Sequence, residues 1–218
     1  ILIFKINNRN QSNFRITTLL FDNQLSLQQK VTMDMPMEER NEYFSDFLID
    51  NEGELFFAKF IRRGNDQISD ISMVSKKPSD TAFVMVPVFT NERILDEIKL
   101  KIDNNNRWVL FNAFYYRQRR GNIEGLYTKI WDKDSRSFKY ERELVFTEEM
   151  RKLAKGPDGS LRMAFDDFFI TNVITRKDGG FMLLSESTFV TSRGNLYDRW
   201  GNRAWNNPWL SPLDYYYW

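Results

Sequence analysis

The 218-residue sequence contains neither cysteine nor histidine. Without cysteine there is no disulfide, no thiolate nucleophile and no thiolate metal site. Without histidine the commonest general base and metal ligand is also missing. Any chemistry must rest on Asp, Glu, Lys, Tyr or Arg. Charge of one sign is lacking too: 31 basic and 30 acidic residues leave a net +1, which offers no electrostatic footprint for nucleic acid. No apolar run approaches the ~20 residues of a membrane helix, and no signal-peptide pattern is visible. The chain opens on Ile1-Leu2-Ile3-Phe4, strand-like and without an initiator Met, so it reads as a fragment or ordered part of a longer protein. A lack of cysteine suits both cytoplasm and periplasm and decides neither.

What is present is apolar and repetitive. Hydrophobic residues make up 42% and aromatic residues 16%, enough for a packed core and too much for wholesale disorder. The clearest unit covers 94–146, where strands are expected over 94–102, 108–116, 126–131 and 138–146. Their connections are polar, Asp103-Asn104-Asn105-Asn106, Arg120-Gly121-Asn122 and Asp132-Lys133-Asp134-Ser135-Arg136, which predicts one antiparallel sheet. Copies of this unit recur. Arg-Gly-Asn stands at Arg63-Gly64-Asn65, Arg120-Gly121-Asn122 and Arg193-Gly194-Asn195, with Asn8-Arg9-Asn10 in the matching place of a first, partial copy. An Asp-rich turn precedes each full tripeptide, at Asp50-Asn51-Glu52-Gly53, at 103–106 and at Asp178-Gly179-Gly180.

The remaining strands follow from the copies: 1–6, 14–21 and 25–33 in the first unit, 43–50, 55–61, 68–74 and 81–89 in the second, and 168–175 and 181–190 in the fourth. Pro36 with Met37-Glu38-Glu39-Arg40 reads as a single helical turn. Pro87 argues for an outer strand or a bulge, since proline cannot donate to a ladder, and an outermost strand tolerates it best. Thr147 can cap a short helix with Glu148 and Glu149 in its first turn, ended by Gly156-Pro157. Thirteen strands in about three and a half units of about 55 residues predict an all-β fold, a partial β-propeller over 1–195 with four-stranded antiparallel blades and one helical insert. Residues 196–218 are then an aromatic-rich loop or the start of a further blade. A β-sandwich is the alternative. A propeller buries both faces of 108–116, which are apolar in both period-2 sets, whereas a sandwich buries one. The stretch 138–146 alternates apolar with charged, as an exposed edge strand should.

Candidate sites each meet a plainer explanation. The Asp-rich turns could coordinate calcium, but they lack the spacing of an EF-hand loop, Lys133 and Arg136 would repel a cation, and hairpin turns favour Asp, Asn and Gly anyway. Arg-Gly-Asn reads as backbone punctuation, with Gly supplying positive φ. A glycosidase needs two carboxylates across a pocket; Glu124, Asp166, Asp167 and Glu186 are available, with nothing in their spacing to select a pair, and the Ser-x-Asp-x-Gly-x-Thr-Trp boxes of sialidases are absent. No metal or cofactor is expected. The candidates for binding a partner are basic and aromatic: Arg62, Arg63, Arg117, Arg119 and Arg120, and then Trp200, Trp205, Trp209, Tyr215, Tyr216, Tyr217 and Trp218.

The segments Leu48-Ile49-Asp50-Asn51-Glu52-Gly53-Glu54-Leu55-Phe56-Phe57, Gly125-Leu126-Tyr127-Thr128-Lys129-Ile130-Trp131-Asp132-Lys133-Asp134 and Phe138-Lys139-Tyr140-Glu141-Arg142-Glu143-Leu144-Val145-Phe146 resemble the propeller-type repeats of large cell-envelope proteins in gliding Bacteroidota. The likeness covers most of the chain. It implies a periplasmic or outer-membrane-associated protein. Some envelope proteins of that group work with the type IX secretion apparatus, in which a plug protein closes the periplasmic mouth of the outer-membrane translocon. What the resemblance implies is a non-catalytic, protein-binding propeller docking to such a component. The rival expectation is a carbohydrate-binding or glycosidase-type propeller.

Overall fold

Proline at the ends of two strands, and not inside them, is the first sign of how the chain is laid out. The computed structural model describes residues 2–7, 13–37, 41–63, 67–118, 121–155, 161, 164–165 and 168–187, and it is all-β with one short helix. The first unit is a three-stranded antiparallel sheet of β1 (Leu2–Asn7), β2 (Asn13–Phe21) and β3 (Leu27–Pro36). In it Phe14 stands opposite Met35 and Asn13 opposite Pro36. The second unit holds β4 (Glu42–Phe44), β5 (Leu48–Ile49), β6 (Leu55–Arg63), β7 (Gln67–Lys76) and β8 (Val84–Pro87). The third holds β9 (Ile94–Leu95), β10 (Lys99–Asp103), β11 (Trp108–Tyr116), β12 (Gly125–Asp132) and β13 (Ser137–Val145). Helix α1 (Glu148–Leu153) leads to a fourth unit, the hairpin of β14 (Phe168–Thr175) and β15 (Phe181–Ser187).

Within the second and third units neighbouring strands pair antiparallel, and the pairing of Ile68 in β7 with Leu95 in β9 joins the two units into one ten-stranded sheet. Two expectations need correcting. The first strand of each of these units is broken, at 45–47 between β4 and β5 and at 96–98 between β9 and β10, although both pieces pair with the same neighbour. In addition, Pro36 does not begin a helical turn. It closes β3, an outer strand that asks no ladder donor of it, and Pro87 likewise closes β8. Residues 38–40, and 188–190 of the expected strand 181–190, lie outside the described residues.

The units stack face to face as layers. Ile16, Met35 and Met37 of the first pack on Leu55, Phe57 and Val74 of the second. The opposite face of the second, with Phe56, Ala58 and Met73, packs on Leu100, Val109, Phe111 and Trp131 of the third. The other face of the third carries Leu110, Phe114 and Leu126 against Ile170 and Val173 of the fourth. Strand β11 is therefore buried on both faces, as its sequence predicts, while β13 is largely exposed. Each such buried side chain contributes about 1.5–3 kcal/mol, so the three seams together dominate the stability.

Antiparallel connectivity sorts the loops into two ends. The Asp-rich turns 50–54, 103–107 and 132–136 gather at one end. The last residues of β6 and β11, the first of β7 and β12, the connection 88–93 and helix α1 gather at the other.

Candidate functional site

At the Asp-rich end the carboxylates are occupied by the fold itself. A short side chain one residue from a tight turn can accept the turn's own backbone amides. Asp50 Oδ1 accepts from Glu52 N (2.9 Å) and Glu54 N (2.8 Å), Asp103 Oδ1 from Asn105 N (3.0 Å), Asp132 Oδ1 from Ser135 N (2.7 Å), and Asp178 Oδ1 from Gly180 N (3.1 Å). Ion pairs then tie the second unit to the third. Buried Lys133 bonds Asp50 and reaches Glu52 at 3.1 Å, Arg136 meets buried Glu54 at 2.5 Å, and Arg107 joins Glu52 to Asp134. Hydrogen bonds from Arg107 and then Lys133 pull the Glu52 carboxyl down to about 2. Lys139, 2.5 Å from Asp132, together with the Ser135 amide, holds Asp132 well below the usual carboxylate range. Burial opposes the charge on Lys133, but its bonds to Asp50 and Glu52 outweigh that and raise its pKa. These turns work as a clasp, and among the described residues no group of acidic side chains has the arrangement to hold a metal ion.

The other end is open. Past Pro87 the chain leaves β7 after one more bond, Val88 N to Ile71 O (2.8 Å), and rejoins it at Leu95 opposite Ile68. The bow between these points encloses a slit of about 620 Å³ lined by Gln67, Asp70, Phe89, Asn91, Glu92 and their neighbours. The third unit holds the bow in place: Lys129 Nζ (2.6 Å) and Tyr127 Oη (3.3 Å) donate to Phe89 O, Asn91 Nδ2 donates to Glu141 (2.6 Å), and Arg93 Nε donates to Glu143 (2.9 Å). Burial pushes the Tyr127 hydroxyl up, so it stays a donor at any physiological pH.

Helix α1 lies at the same end. Thr147 caps it as expected, its Oγ1 accepting from Met150 N at 3.3 Å. Arg151 pins it by donating to Ile123 O (2.8 Å) and Glu124 O (3.2 Å), just after Gly121-Asn122. Met150 turns inward to the seam, while Leu153 is 90% exposed.

Of the sequence-derived candidates, Arg62 and Arg117 fall at this end. Arg62 is half-buried, its guanidinium 4.7 Å from the centre of the Tyr43 ring, and Arg117 is exposed. Arg63 is the last residue of β6. Arg119, Arg120, Trp200, Trp205, Trp209, Tyr215, Tyr216, Tyr217 and Trp218 lie outside the described residues, as do Asp166 and Asp167. Glu124, just before β12, sits 3.9 Å from Arg151, and Glu186 is an exposed residue of β15 in another sheet. Gly121 departs from its expected role: its φ is not positive, and a Cβ there would lie 2.9 Å from the Gln118 carbonyl oxygen, so glycine serves close approach. The slit and the clasp escaped the sequence reading, although Asp recurring at turns beside Lys133, Arg136 and Arg107 was a signal for the clasp. Compared with protein-family models, curated proteins and solved structures, the chain matches none.

Proposed function

We propose that this chain is part of a non-catalytic, protein-binding β-propeller of the bacterial cell envelope, docking through the end that carries α1. The stacking supports the propeller over the sandwich. Four strand units follow one another in chain order, the second and third joined into one sheet, both faces of β11 are covered, and the inner strands β5, β10 and β14 are spatial neighbours, as blades converging on an axis require. The envelope location, and an outer-membrane or secretion-system component as the partner, rest on the resemblance of the repeats.

One observation carries the docking reading: Leu153 is presented to solvent on a short helix whose Arg151 is fastened to the sheet below. A rigidly held, exposed Leu with Arg117 at the same end of the stack has the make-up of an interface anchor and its polar rim. No helix among the described residues is long and apolar enough to cross a membrane. The test is cross-linking and gentle-detergent recovery of the full-length protein from its native membranes, beside a Leu153→Arg variant. A stoichiometric partner whose recovery falls about tenfold in the variant supports docking here. A monomer in both, or a partner held equally well by the variant, overturns it.

A further inference from the structure

We propose that the slit between β7 and the 88–93 bow is a saccharide site, accommodating one or two pyranose rings of a neutral glycan. Its size is the first argument. About 620 Å³ falls within the ~300–1,000 Å³ of small-molecule sites. A peptide strand fits poorly, because the edge of β7 is open only between the Ile71 and Ile68 pairings, far short of the ~5–6 residues of an ordinary strand.

The second argument is preorganisation. The bow is fastened at three points to β12 and β13, and Thr90 Oγ1 also bonds Arg93 O across it at 2.8 Å. Asn91 (φ 50°) and Glu92 (φ 65°) are consecutive left-handed residues on one wall, and Asp70 (φ 50°) faces them from β7. Such conformations each cost on the order of 1 kcal/mol or more and persist where the surroundings impose them, often at ligand clamps. A wall held this way loses little entropy on binding.

The chemistry of the lining selects the ligand. The Gln67 amide can donate and accept, the Asn91 amide oxygen can accept while its nitrogen is held by Glu141, and the carboxylates of Glu92 and of Asp70, which already accepts from Ser69, can accept from hydroxyls. Arg93, the cation of the lining, is turned to Glu143, which disfavours a phosphate or carboxylate ligand. Phe89, 71% exposed, offers a flat apolar face at the rim while its carbonyl is anchored below. Planar amides and carboxylates beside an exposed ring are what a polyhydroxylated ring with one apolar face requires. The contacts are those of a binder, and no bond-making step is involved.

The experiment titrates the full-length protein, by calorimetry and amide NMR, with maltotetraose, cellotetraose and chitotetraose, and with spermidine and inorganic phosphate as the competing chemistries. The expected result is a Kd of about 1 mM or tighter for at least one tetrasaccharide, with shifts concentrated at 67–72 and 87–94. Phe89→Ala should weaken it about tenfold and Glu92→Gln severalfold, each with an unchanged thermal midpoint. If Phe89→Ala fails to fold, Glu92→Gln and the shift map still decide. No binding by any tetrasaccharide at 10-fold that concentration, shifts elsewhere, or tighter binding of spermidine or phosphate overturns the proposal.

Discussion

Lys133 shows how much one side chain can carry. Its side chain is 5% exposed, pairs with the buried Asp50 and lies 4.0 Å from the buried Glu54, which Arg136 also meets. Removing one partner of a buried pair leaves the other charge uncompensated, so Lys133→Met is expected to cost about 3–5 kcal/mol at pH 7. Acid should weaken the clasp more in the wild type than in the variant. In the wild type, Glu52 and Asp132 have depressed pKa values, so their contribution is present above the unfolded values near 4 and is lost as pH falls. For Glu52 that window runs from about 4.3 down to about 2. Lys133→Met removes the Lys133 bond to Glu52, so less of this acid-labile contribution is left to lose and the stability gap narrows as pH falls through that window. Calorimetric midpoints of both proteins from pH 7 to pH 3 check this, and a gap that widens in acid refutes the clasp. The turn-forming part of the site was legible, because an Asp that accepts amides two or three residues on is a local matter. The clasp was not, since Lys133 and Asp50 are 83 residues apart and meet only once the facing of the sheets is known.

At the scale of a strand, Gly125 begins β12 where the backbone of β13 crosses closest. A Cβ there would lie 2.0 Å from the Leu144 carbonyl oxygen, a backbone atom that cannot swing aside. Gly125→Ala should therefore prise β13 away from β12 and cost about 2–3 kcal/mol, or roughly 4–12 °C in the thermal midpoint. Gly180→Ala is the contrast: its nearest neighbour would be the movable tip of Asp178 at 3.2 Å, and its effect should stay within about 0.5 kcal/mol. Thermal melts of the two variants compare them directly, and equal losses would refute the argument. Strand identity was readable from period and turn residues, down to the doubly apolar β11 and the charged β13. The breaks at 45–47 and 96–98 were not. There Ser45 Oγ accepts from Ala58 N (2.8 Å) and Asp96 N bonds Phe114 O (2.9 Å), pairings set by the neighbouring strand and invisible in a run of residues. Pro36 misled for a related reason: a proline followed by acidic residues suits a helix start locally, and the register against Asn13 overrides it.

For the molecule as a whole, the repeated unit dictates a graded stability. A sheet covered on both faces loses protection only when two seams open, whereas a sheet with one known seam can part from the stack alone. The second and third units each contribute to two of the three clusters, while the first and fourth each contribute to one. Amide exchange should follow that order. β6, β7, β11 and β12 are expected to exchange slowest, near the global unfolding limit, because their side chains fill the shared seam between Phe56, Met73, Val109 and Trp131. β14 and β15 should exchange faster, since their packing on the third unit rests on a smaller set around Ile170 and Val173. β13 should be the fastest of the third unit, being exposed along almost its whole length. A substitution at the shared seam tests the coupling: Phe111→Ala, with Phe111 1% exposed, should cost about 3–5 kcal/mol and raise exchange in β6 and β7 as much as in β11. Exchange raised only within the third unit would mean that the layers fold independently, and the stacked arrangement would then contribute shape to the molecule without contributing cooperativity.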